Sequence, residues 1–431
     1  MTFCCPQENC GKRSTGEIDR ISNLPIEIKD NILIRLPVKE AVRTCCLSSN
    51  WRLAWTSIPE LVYDNHSIST SDGYPEYLNE CTITSDGCPE DLNECTTKMV
   101  EFVDKFLSMH DCSIRKFAIV HVNPCFGALN RWLKVLSRRG IEEIQIRLPP
   151  IYYGWEVPPT FWNLHCLREV ELVGCIIALP QAFKGFKLLK SLILTWPDIS
   201  EGDLSNLIAS CPLLENLNLL VRKYGMHLRI DAPMLKQLRL TCSRFKHVCL
   251  RTPSLVKAIL NLRTNLLNHR ESSLIHLLDC LPKLEMLYVG GDLTEYLAYG
   301  HNPKLSIKFY HLKSLHIVMN FACQRQAAVV RQLFHHAPNL QEIIVSDPDG
   351  AYSYKPEEWT QYTVFEHLKY VKIKNFNNHK SVLSFVAFLL ASTPCLEELH
   401  FNHEVEDPEF LQQLLQLKRA SKKAKILLPR N

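Results

Sequence analysis

The side chains in this sequence capable of chemistry do not assemble into a recognisable reactive set. Its 431 residues include 18 cysteines and 17 histidines. Cys4, Cys5 and Cys10 are of metal-ligating type, but no second Cys/His pair follows at zinc-finger spacing. His335-His336 lies on a helical connector with no further ligand at useful spacing. HExxH, P-loop, GxGxxG and GxSxG patterns are all missing. Asn65-His66-Ser67 fits a glycosylation sequon, which is idle in a reducing compartment. The thiols are scattered, some of them (Cys166, Cys211, Cys395) where a small apolar residue would serve, and so read as reduced packing cysteines. No catalytic residue, metal or cofactor is expected, which leaves binding as the chemistry to explain.

Two groups of side chains carry a binding signal. The first lies between Leu24 and Trp55. Leu24, Ile28, Ile32, Leu33 and Leu36 follow the i, i+4 spacing of an amphipathic helix, with Asn23 placed as N-cap and Pro37 as stop. A second helical stretch carries Val38, Val42, Cys45, Cys46 and Leu47, and Trp51 and Trp55 follow one turn apart. A bundle of under fifty residues cannot bury all of these. Exposed apolar surface marks an interface, so Leu24, Pro25, Ile28, Leu36 and Pro37 are expected to contact a partner, with Trp51 and Trp55 as anchors or packing posts.

The second group rests on a period. A Leu-x-x-Leu-x-Leu pattern begins at Ile114, Ile141, Leu167, Leu189, Leu214, Leu235, Leu255, Leu284, Leu312, Leu340, Leu368 and Leu396. The spacings of 20–29 residues are those of leucine-rich repeats. Each repeat buries its leucines against its neighbours, giving a solenoid of the α/β class with parallel strands on the concave side and helices or loops on the convex side. Several connectors are helical in pattern and end in proline just before the next strand, as at Pro212, Pro282, Pro338 and Pro394. Alternation along each strand sends the third and fifth pattern positions to the concave face. The most apolar and aromatic of these, Ile259, Met286, Tyr288, His316, Ile344 and Tyr370, are the expected patch for a bound protein. After the last repeat, Asp407-Pro408 opens a helix, and a strand over Ala424–Leu428 is expected to close the sheet.

Composition narrows the classes. The net charge of +4 is small for this length, with one dense basic run at Lys418, Arg419, Lys422, Lys423 and Lys425, read as the solvated end of the last helix. Nucleic-acid binding is not expected. No apolar run approaches membrane-spanning length and no secretory leader is read, so cytoplasm and/or nucleus is the expected location. The chain divides into a tail (1–17), the helical bundle (18–64), an acidic linker (65–97), repeats (98–361) and a C-terminal region (362–431). The linker holds a tandem duplication, TSDGYPEYLNECTI followed by TSDGCPEDLNECTT.

The stretch DRISNLPIEIKDNILIRLPVKEAVRTCCLSSNWRLAWTSIPELVYD resembles a plant F-box, carried by Leu24-Pro25, Ile28, Ile32-Leu33, Leu36-Pro37, Ala41 to Thr44, Leu47-Ser48, Trp51-Arg52 and Trp55. The whole chain resembles the plant F-box/FBD/LRR-repeat proteins, with FEHLKYVKIKNF and PCLEELHF in the FBD portion from about Tyr362. Ser49 and Asn50 stand where family members commonly carry basic residues. The resemblance implies a non-catalytic substrate receptor of an SCF-type cullin ubiquitin ligase, which binds a Skp-type adaptor through the F-box and a protein target through the repeats. A non-ligase scaffold, or a receptor whose groove holds a small ligand, stays open on the sequence.

Overall fold

The computed structural model describes residues 19–64, 90–110, 112–120, 126–148, 154–222, 226–243, 245–263, 277–278, 280–299, 308–321, 323–347, 359, 364–375, 379–402 and 408–429. The tail with Cys4, Cys5 and Cys10, the sequon, Asp407 and most of the duplicated acidic segment lie outside these residues. The chain forms two compact units. One takes the described residues up to Leu189 with Trp196–Ser200; the other takes Lys190–Thr195 and Glu201 onward.

The first unit begins with two short helices, α1 (Ile26–Leu33) and α2 (Val38–Arg43), followed by three 3-10 turns between Thr44 and Ser57. The chain then runs directly into a strand, β1 (Glu60–Asp64). Helix α3 (Glu90–Met109) starts inside the stretch read as linker. Next come β2 (Lys116–Val120), helix α4 (Phe126–Leu136), β3 (Glu143–Arg147), β4 (Trp155–Glu156), β5 (Glu169–Val173) and β6 (Cys175–Ile177). Strands β1, β2, β3 and β5 are hydrogen-bonded in that order, all parallel. Strand β7 (Ser191–Thr195) belongs to the second unit, whereas β8 (Asp198–Ile199) pairs with β6, which pairs with β4, in a small outer sheet.

In the second unit, α5 (Glu201–Ala209) precedes β9 (Asn216–Val221), β10 (Met226–Asp231), β11 (Gln237–Ser243), β12 (Phe245–Arg251), β13 (Lys257–Arg263) and β14 (Met286–Val289). Helix α6 (Gly291–Tyr299), β15 (Ser314–Val318), α7 (Gln324–His336), β16 (Glu342–Ser346), β17 (Tyr370–Lys374), α8 (His379–Ser392), β18 (Glu398–Phe401), α9 (Pro408–Gln416) and β19 (Lys425–Leu427) complete it. Strands β7, β9, β11, β13 to β18 and β19 form one parallel ladder, and β10 and β12 pair separately.

The repeat pattern places the strands well. Each of the twelve pattern residues from Ile114 to Leu396 sits two residues before an observed strand, and all twelve are buried. The fourth and sixth positions, such as Leu217 and Leu219 or Leu315 and Ile317, are also buried, while the intervening residues face outward. The second positions add a register device: Glu142–Arg168, Glu215–Lys236, Glu285–Lys313 and Lys369–Glu397 form ion pairs between successive rungs at 2.7–3.2 Å. A one-residue slip would separate every pair.

Repeat length decides the outer layer. The 28-residue repeats starting at Leu312 and Leu368 have room for α7 and α8. The 21- and 20-residue repeats starting at Leu214 and Leu235 do not, and β10 and β12 take the helix's place. The strand expected near the C-terminus is present as β19. The basic run, however, lies beyond α9: Lys422 and Lys423 occupy a turn, Lys425 is on β19, and Arg419 Nη1 donates to Ala424 O at 3.1 Å. Among the described cysteines none is bridged. Cys211 is buried as expected, with its Sγ 3.2 Å from Leu207 O, but Cys166 and Cys395 are exposed. Burial pushes the Cys175 thiol up to about 12 and that of Cys242 to about 11.

Candidate docking surfaces

Helix α1 inverts the usual amphipathic order. Its buried residues are Lys29 and Leu33, one turn apart, while Ile26, Ile28 and Ile32 point to solvent, Ile28 at 44% and Ile32 at 38% exposure. Pro25 supplies the extended N-cap residue, and its carbonyl accepts from Ile28 N and Lys29 N at 3.1 Å. The lysine is tolerated inside because its ammonium is satisfied: Lys29 Nζ donates to Asn50 O at 3.2 Å and lies 5.5 Å from the Trp51 ring centroid. Asn50 Nδ2 donates to Ser22 O at 3.1 Å, and Trp51 Nε1 to Ile21 O at 2.9 Å. The Asn50 side chain, at one of the two departures from the family pattern, thus ties the second half of the bundle to the residues just before α1.

Trp51 and Trp55 are 1% and 4% exposed, so of the two expected roles, anchors or packing posts, they take the second. Their rings are the core of the bundle and its joint to the repeats. Trp55 packs at a tilt against Phe106 of α3 with centroids 4.8 Å apart, His110 Nε2 contacts Ile58 O at 2.8 Å in a buried site, and Arg115 and Lys116 N–H groups both bond Pro59 O. Tyr63 on β1 packs among Phe102, Phe106 and Phe117, and complete burial raises its phenol pKa. The small bundle therefore gains its missing core from α3 and β2.

Of the other expected contacts, Pro25, Ile28 and Pro37 are exposed and Leu24 and Leu36 half-buried. Sequence reasoning left out Ile21, Ile26, Ile34, Leu47 and Leu53 as contacts, all of them exposed. With Ile28 and Ile32, seven of the seventeen exposed large hydrophobics among the described residues fall between Ile21 and Leu53. That density is higher than along the rest of the described chain. Its signal in the sequence was the excess of isoleucine over what one helical stripe can bury.

On the second unit's open sheet face, the register sorts the six expected residues into two rows. Ile259, Tyr288, His316 and Ile344 occupy consecutive rungs of one row. Met286 and Tyr370 lie in the neighbouring row. All are half-buried except Tyr370, which is exposed. Tyr288 and His316 meet edge-on with centroids 6.2 Å apart. Burial lowers the His316 pKa, opposed by Glu342 and reinforced by Lys374. Glu342 accepts from Ser314 Oγ at 2.5 Å, and Glu398 is 2.7 Å from His400 Nε2. Among the described residues there is no cluster of three or more potential metal ligands, and no helix long and apolar enough to cross a membrane.

A helical bundle displaying apolar side chains, fused through a strand to a leucine-rich-repeat ladder, defines an F-box protein of the substrate-receptor class. Three family descriptions match: "F-box domain" over residues 21–63, "FBD-associated F-box protein At5g56370, LRR repeats" over 129–345, and "FBD" over 364–401. The chain is 32% identical to F-box/FBD/LRR-repeat protein At1g13570 of Arabidopsis thaliana, across 95% of this chain and 98% of that one. F-box/LRR-repeat protein 13 of the same plant is 24% identical, with 96% and 97% covered, and putative F-box/FBD/LRR-repeat protein At1g66290 is 21% identical, with 98% and 97% covered. The chain belongs to the plant F-box/FBD/LRR-repeat family. An F-box implies a Skp-type adaptor and the repeats imply protein targets; such proteins are typically adaptors without catalysis of their own.

Proposed function

We propose that this chain is the target-selecting subunit of an SCF-type cullin ubiquitin ligase, working in the cytoplasm and/or nucleus. The carrying observation is the F-box's concentration of exposed apolar side chains on a bundle joined to the repeats through β1. In this reading Pro25, Ile28, Pro37, Leu24 and Leu36, with the neighbouring isoleucines, meet the adaptor, and Trp51 and Trp55 hold that surface in place from beneath. The adaptor links to a cullin, and the patch around Tyr288 and His316 holds the target. No side chain of this protein needs to react. Holding a target lysine near the ubiquitin-charged enzyme raises its effective concentration, which suffices for rate enhancement.

Removing residues 18–64 would also delete β1 from the sheet, so the test uses Ile28→Asp with Ile32→Asp in the full chain. The wild type should co-purify with a recombinant plant Skp-type adaptor and cullin, and the double variant should not. Proteins captured by the double variant in plant cells should accumulate when the wild-type chain is depleted. Adaptor binding without any accumulating protein would defeat the ligase reading, and no adaptor binding would defeat it altogether.

A further inference from the structure

One row of the second unit's open face reads, rung by rung, Arg239, Ile259, Tyr288, His316, Ile344, Lys372. A cation stands at each end of four uncharged or apolar side chains. Lys374 stands two residues beyond Lys372 on β17, and Lys257 two residues before Ile259 on the strand beside Arg239, so a second cation accompanies each end. Among the described residues none of these four side chains has a hydrogen-bond or ion-pair partner. Glu342, on β16 of the row, accepts from Ser314 Oγ, and Glu398 on the next strand, β18, is held by His400. The open face of the first unit is different: Lys116 pairs with Glu143 at 3.3 Å, and Arg147 with Glu171 in two bonds of 2.6 and 3.0 Å. The second unit leaves these four side chains unpaired, where the first unit pairs Lys116 and Arg147.

We infer that this row receives an extended acidic segment of the target, with carboxylates at its two ends and an apolar or aromatic side chain between them. This rests on the reading of the chain as a target receptor and names the chemistry the receptor selects. Five rung spacings of about 4.8 Å separate Arg239 from Lys372, roughly 24 Å. An extended chain rising about 3.3 Å per residue covers that in some seven or eight residues. Tyr288 and His316 offer the centre an edge-to-face aromatic pair, and burial holds the half-buried imidazole below its ordinary pKa and so neutral at pH 7, so the middle favours an apolar anchor. Single-stranded nucleic acid fits less well. Its phosphates repeat continuously, whereas the cations here stand only at the ends and Glu342 borders the middle.

The test displays a random twelve-residue peptide library against the full-length chain, with adaptor capture measured on the same preparation. Asp or Glu should be enriched at two positions about seven residues apart around an apolar residue. The best synthetic peptide should bind at least about tenfold more weakly to the variant R239Q with K372Q. The variant R239E with K372E should select Lys- or Arg-ended peptides instead. Both variants should keep the wild-type melting temperature and adaptor capture. Selection of neutral or basic peptides by the wild type, no enrichment over blank beads, or affinity indifferent to both variants overturns the inference. So does a need for phosphorylation, or tighter binding of a labelled twelve-nucleotide oligouridine. Loss of adaptor capture with peptide selection intact would instead count against the ligase reading alone.

Discussion

Truncating Ile28 and Ile32 to alanine together separates docking from folding. Fully burying an isoleucine side chain is worth about 1.5–3 kcal/mol. Ile28 and Ile32 keep 44% and 38% of their surface in the free chain, so covering both recovers most of one such burial. The double truncation should then cost about 1.2–2.5 kcal/mol of adaptor binding, roughly eight- to sixty-fold in Kd. Fold stability should change little, because exposed substitutions stay within about 0.5 kcal/mol per site. Trp51→Ala is the opposite case: 1% exposed, with its ring against Lys29 and its indole N–H on Ile21 O, it should lose about 3–5 kcal/mol of stability. Titration calorimetry against the recombinant adaptor, with thermal melts of each variant, reads both quantities. Adaptor affinity within twofold of wild type, or a melting drop as large as that of Trp51→Ala, would refute the assignment of these isoleucines to the docking surface.

Three further perturbations probe the scaffold. Lys29→Ala should destabilise the chain by about 1–3 kcal/mol through loss of a charge-assisted hydrogen bond and the packing of its stem, with Lys29→Arg less harmful; unchanged melting would show that the buried ammonium holds nothing. Glu215→Lys should lower the melting temperature and the swap E215K with K236E should recover it, the recovery shrinking at high salt. Lys236 also holds the Glu215 carboxyl below its ordinary pKa, so the pair's contribution is complete above about pH 4.5 and fades as pH falls through the lowered value. For His316 the folded pKa lies below 6.5, so the unfolded chain takes up the proton first. Stability should therefore be full above pH 6.5 and fall as pH drops below it, and His316→Gln should flatten melting temperature against pH in that window.

The repeats were legible in the sequence because their signal is local. A strand of alternating burial needs only its own six residues to declare itself, and each pattern residue from Ile114 to Leu396 marked a strand two positions on. The identities of the outward residues, and hence the row from Ile259 to Ile344, follow from the same alternation. The excess of apolar side chains in the F-box was equally readable, because a bundle of that length has too little interior for them.

The tertiary structure decided which of those side chains face outward. Lys29 is inside and Ile28 outside because Asn50 and Trp51, some twenty residues away, offer the ammonium a carbonyl and a ring. Trp55 is interior because Phe106 of α3 covers it, and the F-box ends in the sheet because β1 finds β2 across more than fifty residues. Pairings at that separation leave no periodic trace in the chain. Nor does charge composition alone tell a neutralised cation such as Arg147 from an unpaired one such as Arg239. The sequence by itself determined the twelve pattern strands, their faces and the surplus of apolar residues; partners distant in the chain determined which apolar residues became surface and added strands such as β1.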